Sequence, residues 1–277
     1  MKQFFSYIFP ILFLCLSSCE KVVDVNLSTI APKLVIDASF EVLFNKNPVT
    51  TNAIVKLRLS ADYFNETIPE VTNATVFLTN TANNTIIPFS DANGLGNYTP
   101  DVNFIPEENT EYELTVIYDG ETYKATATRI KSTPLTSVVQ GDGTLFSGNE
   151  TELKIAFTDN GSENNYYLFN YTNNLFSTID DRFFNGTDYT FSFFYQEDEI
   201  ELPTNVTITL SGISEEYFTY FRVLVNQSGQ NSGGPFQTIP STLLGNIVNT
   251  TNEANFPLGY FHISETDTIS LELIEKE

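Results

Sequence analysis

Along much of the chain, apolar and polar residues alternate one by one. The clearest runs are Leu34, Ile36, Ala38, Phe40 and Val42; Tyr112, Leu114, Val116 and Tyr118; Leu153, Ile155 and Phe157; and Val206, Ile208 and Leu210. A period of two sends successive side chains to opposite faces, so each run predicts a strand with one buried and one wetted face. Asp119-Gly120 sits between "YELTVIY" and "ETYKATATRI". Both residues tolerate positive φ, which predicts a two-residue hairpin of type I′. Further turn clusters occur at "SDANGLGN", "QGDGTLFSGN" and "NQSGQNSGGP". Short strands separated by such loops predict a mainly β protein built as sandwiches rather than as a parallel sheet.

One stretch breaks the period. Tyr217, Phe218, Phe221, Leu224 and Val225 fall on one face at helical spacing, after Ser214 as N-cap and Glu215 and Glu216 at the positive dipole end. The helix should run over about 214–228 and stop near Gly229, with its aromatic stripe packed rather than free for a ligand. Two β-sandwich-like domains follow: an immunoglobulin- or transthyretin-like sandwich over 31–131 and an aromatic-rich β domain with the one helix over 132–277. "RIKSTPLTSV" reads as the extended exit from the first. No repeat of solenoid or propeller period is visible.

The N-terminus has a different pattern. Lys2 precedes an almost wholly apolar run from Phe4 to Leu16, followed by Leu16-Ser17-Ser18-Cys19. This is the layout of a secretory signal that ends in a bacterial lipoprotein processing site. Residues 1–18 are read as signal peptide, Cys19 as the lipidated N-terminus and 19–30 as a linker. Cys15 leaves with the signal, so no intrachain disulfide is expected. No other segment approaches eighteen consecutive apolar residues, which leaves the acyl chains as the expected membrane attachment.

Charge narrows the partners. The chain carries 13 basic and 35 acidic residues, a net charge of -22 that becomes about -23 once the lysine of the signal is gone. Nucleic acid and anionic lipid heads need a cationic footprint, so neither is an expected partner. With 24 Phe and 14 Tyr in a chain 41% hydrophobic, there is still enough apolar surface to fold.

Catalytic constellations are absent. His262 is the one histidine, in "GYFHIS", without an accompanying nucleophile motif, and is read as a surface or packed strand residue. Histidine and cysteine are too few for zinc or copper, and no cofactor is expected. The oxygen-rich candidates for calcium are Asp180 and Asp181 in "TIDDRF" and Glu197, Asp198 and Glu199 in "QEDEIEL". Neither stretch has the spacing of a calcium loop, so both are read as a solvated face and no metal is expected. A glycosidase using two acids is a third-rank alternative.

The stretch "FNYTNNLFSTIDDRFFNGTDYTFSFFY" is unusually aromatic. Neighbours such as Tyr166 and Tyr167, Phe183 and Phe184, or Phe193, Phe194 and Tyr195 point to opposite faces of a strand, so some must be exposed. Tyr167, Phe184, Phe194 and Tyr195 are the candidate partner or ligand surface. "DTI" at Asp267 to Ile269 resembles an O-glycosylation acceptor, and the Asn-X-Ser/Thr triplets are read as composition rather than glycan sites.

Taken together, "CEKVVDVNL", "PKLVIDASF", "EYFTYFRVL", "GGPF", "GNI" and "LGYF" resemble a large Bacteroidetes lipoprotein family of unassigned function encoded beside TonB-dependent outer-membrane receptors. Ala38-Ser39 departs from its expected acid and glycine in the first strand. The resemblance implies two β-rich domains, an outer-membrane location and a TonB-dependent receptor as partner, and supplies no catalytic residues. The expected function is thus a non-enzymatic, lipid-anchored accessory of a TonB-dependent transport system. The alternative is an independent surface-exposed lipoprotein that binds a glycan, peptide or metal complex.

Overall fold

The computed structural model describes residues 31–61, 67–228 and 241–275. The signal peptide, Cys19, the linker, the "CEKVVDVNL" and "GGPF" motifs and the expected helix stop at Gly229 lie outside the described residues. Among the described residues the chain is mainly β with one helix. In order come β1 (Leu34–Leu43), β2 (Thr50–Leu59), β3 (Thr75–Asn80), β4 (Ile86–Ser90), β5 (Asn97–Pro100), β6 (Glu111–Tyr118), β7 (Glu121–Ile130) and β8 (Leu135–Gln140). They are followed by β9 (Thr151–Thr158), β10 (Tyr166–Asn170), β11 (Phe176–Asp180), β12 (Asp188–Tyr195), β13 (Thr204–Ile213), α1 (Glu215–Gln227), β14 (Val248–Asn249) and β15 (Leu258–Leu273).

Twelve strands form one sheet in the order β11-β10-β13-β15-β1-β2-β5-β4-β3-β6-β7-β14, and β15 also pairs with β7. That extra pairing, Ile263 with Arg129 and Ser264 with Ile130, closes a ring of eight strands from β15 through β1 and back to β7. Closure removes the free edges that would template association. The predicted strand faces fill this first core: Ile36, Ala38, Phe40 and Val42 are fully buried, as are Val55, Leu57 and Leu78. Residues 31–131 do not complete it alone, since Ile247, Phe261 and Ile263 also pack into it.

The second core lies between a three-stranded sheet, β12-β9-β8, and the β11-β10-β13-β15 end of the large sheet. Leu153, Ile155, Phe157, Ile208, Leu210 and Leu273 are its buried aliphatic and aromatic filling. Strand β15 belongs to both cores. Val35 to Leu43 of β1 pair in parallel with Leu258 to Thr266, and β13 pairs antiparallel with Thr266 to Leu273. Sixteen residues, all those from Phe261 to Asp267 buried, thereby tie the two cores together.

Helix α1 covers the other face of β10. Ser214 caps it with extended backbone and accepts from the Tyr217 amide, Glu215 and Glu216 stand in the first turn, and Ser228 closes the other end. Tyr217 and Phe218 are buried, whereas Leu224 is exposed. The hairpin at Asp119 and Gly120 has φ of 49° and 76°, the positive values its residues were chosen for.

Candidate functional site

Where the two cores meet, the end of β7 faces the start of β10 and of α1 across a cleft of about 470 Å³. Arg129 and Lys131 stand on one wall with Glu108; Asn165 and Tyr166, and Ser214 and Glu215, form the other. Pairing of Tyr166 with Ile213 is what sets Asn165 beside the helix cap. Next to the cleft, backbone meets backbone: a Cβ on Gly212 would stand 1.9 Å from the Lys131 carbonyl oxygen, so only glycine lets β13 approach the segment after β7 this closely.

A mostly buried ion pair anchors the β7 wall. Arg129 donates from Nη2 to Glu265 Oε1 at 2.7 Å and from Nη1 to the Pro106 carbonyl at 3.1 Å. Glu265 Oε2 accepts from the Ser132 amide at 3.1 Å, and the two side chains are 12% and 8% exposed. Lys131 meets Glu108 at 3.1 Å on the surface, and the hydrogen bond from the ammonium holds the Glu108 carboxyl below its usual range. On the opposite wall, the Asn165 amide donates to Asp181 Oδ2 at 2.7 Å. Burial, then the neighbouring Glu215 carboxylate, raise the Tyr166 hydroxyl. Three buried atoms here find no hydrogen-bond partner among the described residues: Arg129 Nε, Ser132 Oγ and Asn165 Oδ1.

A second hollow of about 300 Å³ adjoins the first, lined by Tyr260, His262, Ser264, Glu216 and Asn246 among others. Asn246 serves as a substitute strand: its Oδ1 accepts from the Phe261 amide at 2.9 Å and its Nδ2 donates to the Phe261 carbonyl at 2.8 Å. His262 stacks on Tyr217 with ring centroids 4.2 Å apart, and its Nδ1 is 3.0 Å from Ser264 Oγ. The pair has the composition of a base and a nucleophile, yet Ser264 is fully buried and offers its hydroxyl to no dissolved substrate.

Burial alone pushes the His262 imidazole down to about 3 from 6.5. Below pH 6.5 the unfolded chain takes up a proton that the folded chain refuses, so stability should fall as the pH drops from 6.5 towards 3. The full window corresponds to roughly 5 kcal/mol. On neighbouring β1, Glu41 is raised by burial and acts with the opposite sign above 4.5. The His262 contribution is therefore the difference between the urea-unfolding curves of wild type and His262→Gln from pH 4 to 7; parallel curves would mean an imidazole that titrates in the fold.

The residues singled out from sequence are not gathered in this cleft. Tyr167, Phe184 and Tyr195, expected on a partner surface, belong to the second core at 1%, 6% and 0% exposure. Tyr167 donates to Asp159 Oδ1 at 2.6 Å, Phe184 stacks on Tyr189 at 4.0 Å, and Tyr195 donates to the Tyr171 carbonyl. Phe194 is half-buried, opposite Glu152 in β9. Tyr167 and Phe184 face the three-stranded sheet, from which Tyr195 itself points into the same core, and the outward members of their doublets are half-buried Tyr166 and Phe183, 92% exposed.

The acids are likewise dispersed. Asp180 holds Arg182 through Nε and Nη2 at 2.5 and 2.9 Å, Asp181 is buried, and Glu197 accepts from Asn149 at 2.9 Å. Glu199 accepts from the Gln196 amide at 2.8 Å, while Asp198 is exposed. Among the described residues no three ligating side chains of the metal-binding types converge. Arg129, Ser132, Asn165 and Glu265 were not read as a site from sequence. The signal in the sequence is slight: the charged and polar residues of "RIKST", at the extended exit from the first predicted domain.

A family model described as "Domain of unknown function (DUF4249)" matches residues 20–270. The chain belongs to the DUF4249 family. The match spans both cores. No curated protein matches the chain. Among solved structures, the chicken interferon gamma receptor alpha chain is similar over 67% of this chain and 90% of that one, at 10% identity and a TM-score of 0.18, too low to bear on fold or function. The motifs quoted above that lie within described residues have architectural roles in this DUF4249 chain. "PKLVIDASF" leads into β1 and forms its first seven residues, and "EYFTYFRVL" lies within α1. "GNI" and "LGYF" meet where a Cβ on Gly245 would stand 1.7 Å from the Gly259 carbonyl oxygen.

Proposed function

We propose that the protein is a non-catalytic lipoprotein of the outer membrane, anchored through Cys19, which serves as an accessory subunit of a TonB-dependent transport system and binds its receptor or the receptor's substrate. The observation that carries the anchor is one of adjacency: "LSSC" ends at residue 19 and the family match opens at residue 20. Processing before Cys19 would thus release the family-defining chain whole, with lipid at its first residue. Strand β1 begins at Leu34, so only a short tether separates lipid from core. Among the described residues no helix is long and apolar enough to cross a membrane, which fits attachment by acyl chains. The sealed His262–Ser264 pair and the scattered acids support binding over catalysis.

The transporter half is tested by purifying the tagged, full-length protein from its own outer membrane in mild detergent and identifying what comes with it. A stoichiometric TonB-dependent receptor is the expected result. Recovery of the lipoprotein alone would favour an independent binding lipoprotein, a reading to which the cleft between the cores lends weight. Cys19→Ala is expected to move the protein from the membrane fraction to the soluble fraction, and its retention in the membrane would end the anchor assignment.

A further inference from the structure

We propose that the loop between β8 and β9 is a docking knob, which seats Phe146 in an apolar pocket rimmed by lysine or arginine on a partner protein. The proposal deepens the proposed function by giving its partner a contact face, and rests on that reading for the position of the lipid anchor.

Phe146 is the most exposed large apolar side chain among the described residues, and its neighbour Leu145 is exposed as well. The loop that carries them is built on two buried carboxylates, Glu150 and Glu152. Glu150 accepts from the Leu145 and Gly148 amides through Oε2 and from the Ser147 amide through Oε1, each at 3.0 Å. Glu152 Oε2 accepts from the Gly143 amide at 2.7 Å, and its Oε1 from the Ser192 hydroxyl of β12 at 2.6 Å. Hydrogen bonds to a carboxylate are among the strong ones, so the backbone on both sides of Phe146 is held while its ring is left to solvent. An aromatic group fixed in advance loses little freedom on binding, which suits it to anchor an interface. Phe183 is next in exposure, but Arg182 already lies over its ring at 5.9 Å.

The surroundings widen the knob into a patch. Val138, Leu153 and Ile155 point into the second core, so their strand neighbours lie on the outer face of the three-stranded sheet. There Val139 pairs with Lys154, and Glu152 with Phe194. Val139 is exposed and Phe194 half-buried. Because Gly143 is bonded to Glu152, the loop crosses this face beside Phe194. Exposed apolar groups clustered in this way mark an interaction site.

Two observations select a protein over a membrane as the occupant. The first is charge. Asp142 is exposed in the loop, Glu197 accepts from Asn149 of the loop at 2.9 Å, and exposed Asp198 follows it. Lys154, the cation on the same face, is 3.8 Å from Glu152 Oε2. An apolar centre with an acidic rim matches a basic protein surface and is repelled by anionic lipid heads. The second is position. The chain enters the folded body beside the start of β15, where Val35 pairs with Leu258. The patch lies at the other end of that strand: the Gln140 side chain exchanges two hydrogen bonds with the backbone of Ile274, just past Leu273. The contour of the strand between them is about 50 Å, so the knob is at the far end of β15 from the anchored chain.

Full-length tagged protein carrying Phe146→p-benzoyl-L-phenylalanine should be irradiated in its own outer membrane, with the same substitution at exposed Ile86 on β4 as comparator. The expected result is an adduct with one other protein from position 146 and not from 86, mapped to a segment that bears lysine or arginine. Phe146→Asp should keep the melting temperature, since the ring packs on nothing, and should lower recovery of that same protein at least tenfold in mild detergent. Asp198→Lys should lower it about threefold. An adduct with lipid, an adduct with a second copy of this chain, no adduct, or recovery unchanged by Phe146→Asp would each overturn the proposal. A receptor that co-purifies equally with Phe146→Asp would sink the knob and leave the transporter reading standing. Capture of a different protein from position 146, with no receptor recovered, would do the reverse.

Discussion

Gly259→Ala is expected to lower the stability of the protein by at least about 3 kcal/mol in urea unfolding. The added Cβ would stand 2.0 Å from the Ile36 carbonyl oxygen and 2.6 Å from its carbon, and both belong to the backbone of β1, which cannot step aside without breaking its pairing with β2. The residue also sits at φ +105°, where an L side chain is strained before any neighbour is counted. Relief requires the start of β15 to move away from β1, and Phe261 and Ile263, two and four residues on, would leave the first core with it. Gly94→Ala is the comparator: its φ is +65° but nothing lies within 4 Å of the added carbon, so it should cost only about 1 kcal/mol. Equal effects of the two substitutions would show that backbone torsion alone, and not the approach of β15 to β1, is what glycine provides at position 259.

Gly259 illustrates which parts of the fold were legible. Strands with one wet face announce themselves by alternation, and β1, β6, β9 and β13 were visible because most of their polar positions reach solvent, Thr115, Glu152 and Ser211 being buried exceptions. The helix was legible because Ser214 and the two glutamates mark its start and its apolar residues change period. Strand β15 was legible only in pieces. From Phe261 to Asp267 both of its faces are buried, so the alternation that identifies a strand was lost where the strand matters most. Its parallel pairing with β1 joins opposite ends of the chain, and no local pattern encodes such a partner. The aromatic doublets failed for a related reason. Period two says that Tyr166 and Tyr167 diverge, but which of them faces solvent depends on where the three-stranded sheet lands. The cleft was illegible because its pieces come from segments far apart in sequence, brought together only by the sheet closure at β7 and β15.

The same closure makes the Arg129–Glu265 pair a place of large expected effects. Arg129→Met should cost about 3–5 kcal/mol, because it leaves the Glu265 carboxylate buried with only the Ser132 amide to answer it. Glu265→Gln should cost a comparable amount from the other side: the amide oxygen can still accept from Ser132, but the guanidinium loses its counter-charge in a site 12% exposed. The double variant Arg129→Met/Glu265→Gln should then be more stable than the sum of the two losses predicts, by about 1–3 kcal/mol, since neither charge remains to be stranded. Urea unfolding of the four proteins measures this directly, and strictly additive losses would mean that the two side chains are solvated separately rather than paired. The pair joins the end of β7 to the middle of β15, so it also holds the β7 wall of the cleft in place. Loss of the pair should loosen that wall even where the protein stays folded, whereas Gly94→Ala, distant from both strands, should leave it intact. A fold whose one long strand serves two cores thus sets its cleft at the junction those cores share, and the stability of that junction and the shape of the cleft depend on the same two side chains.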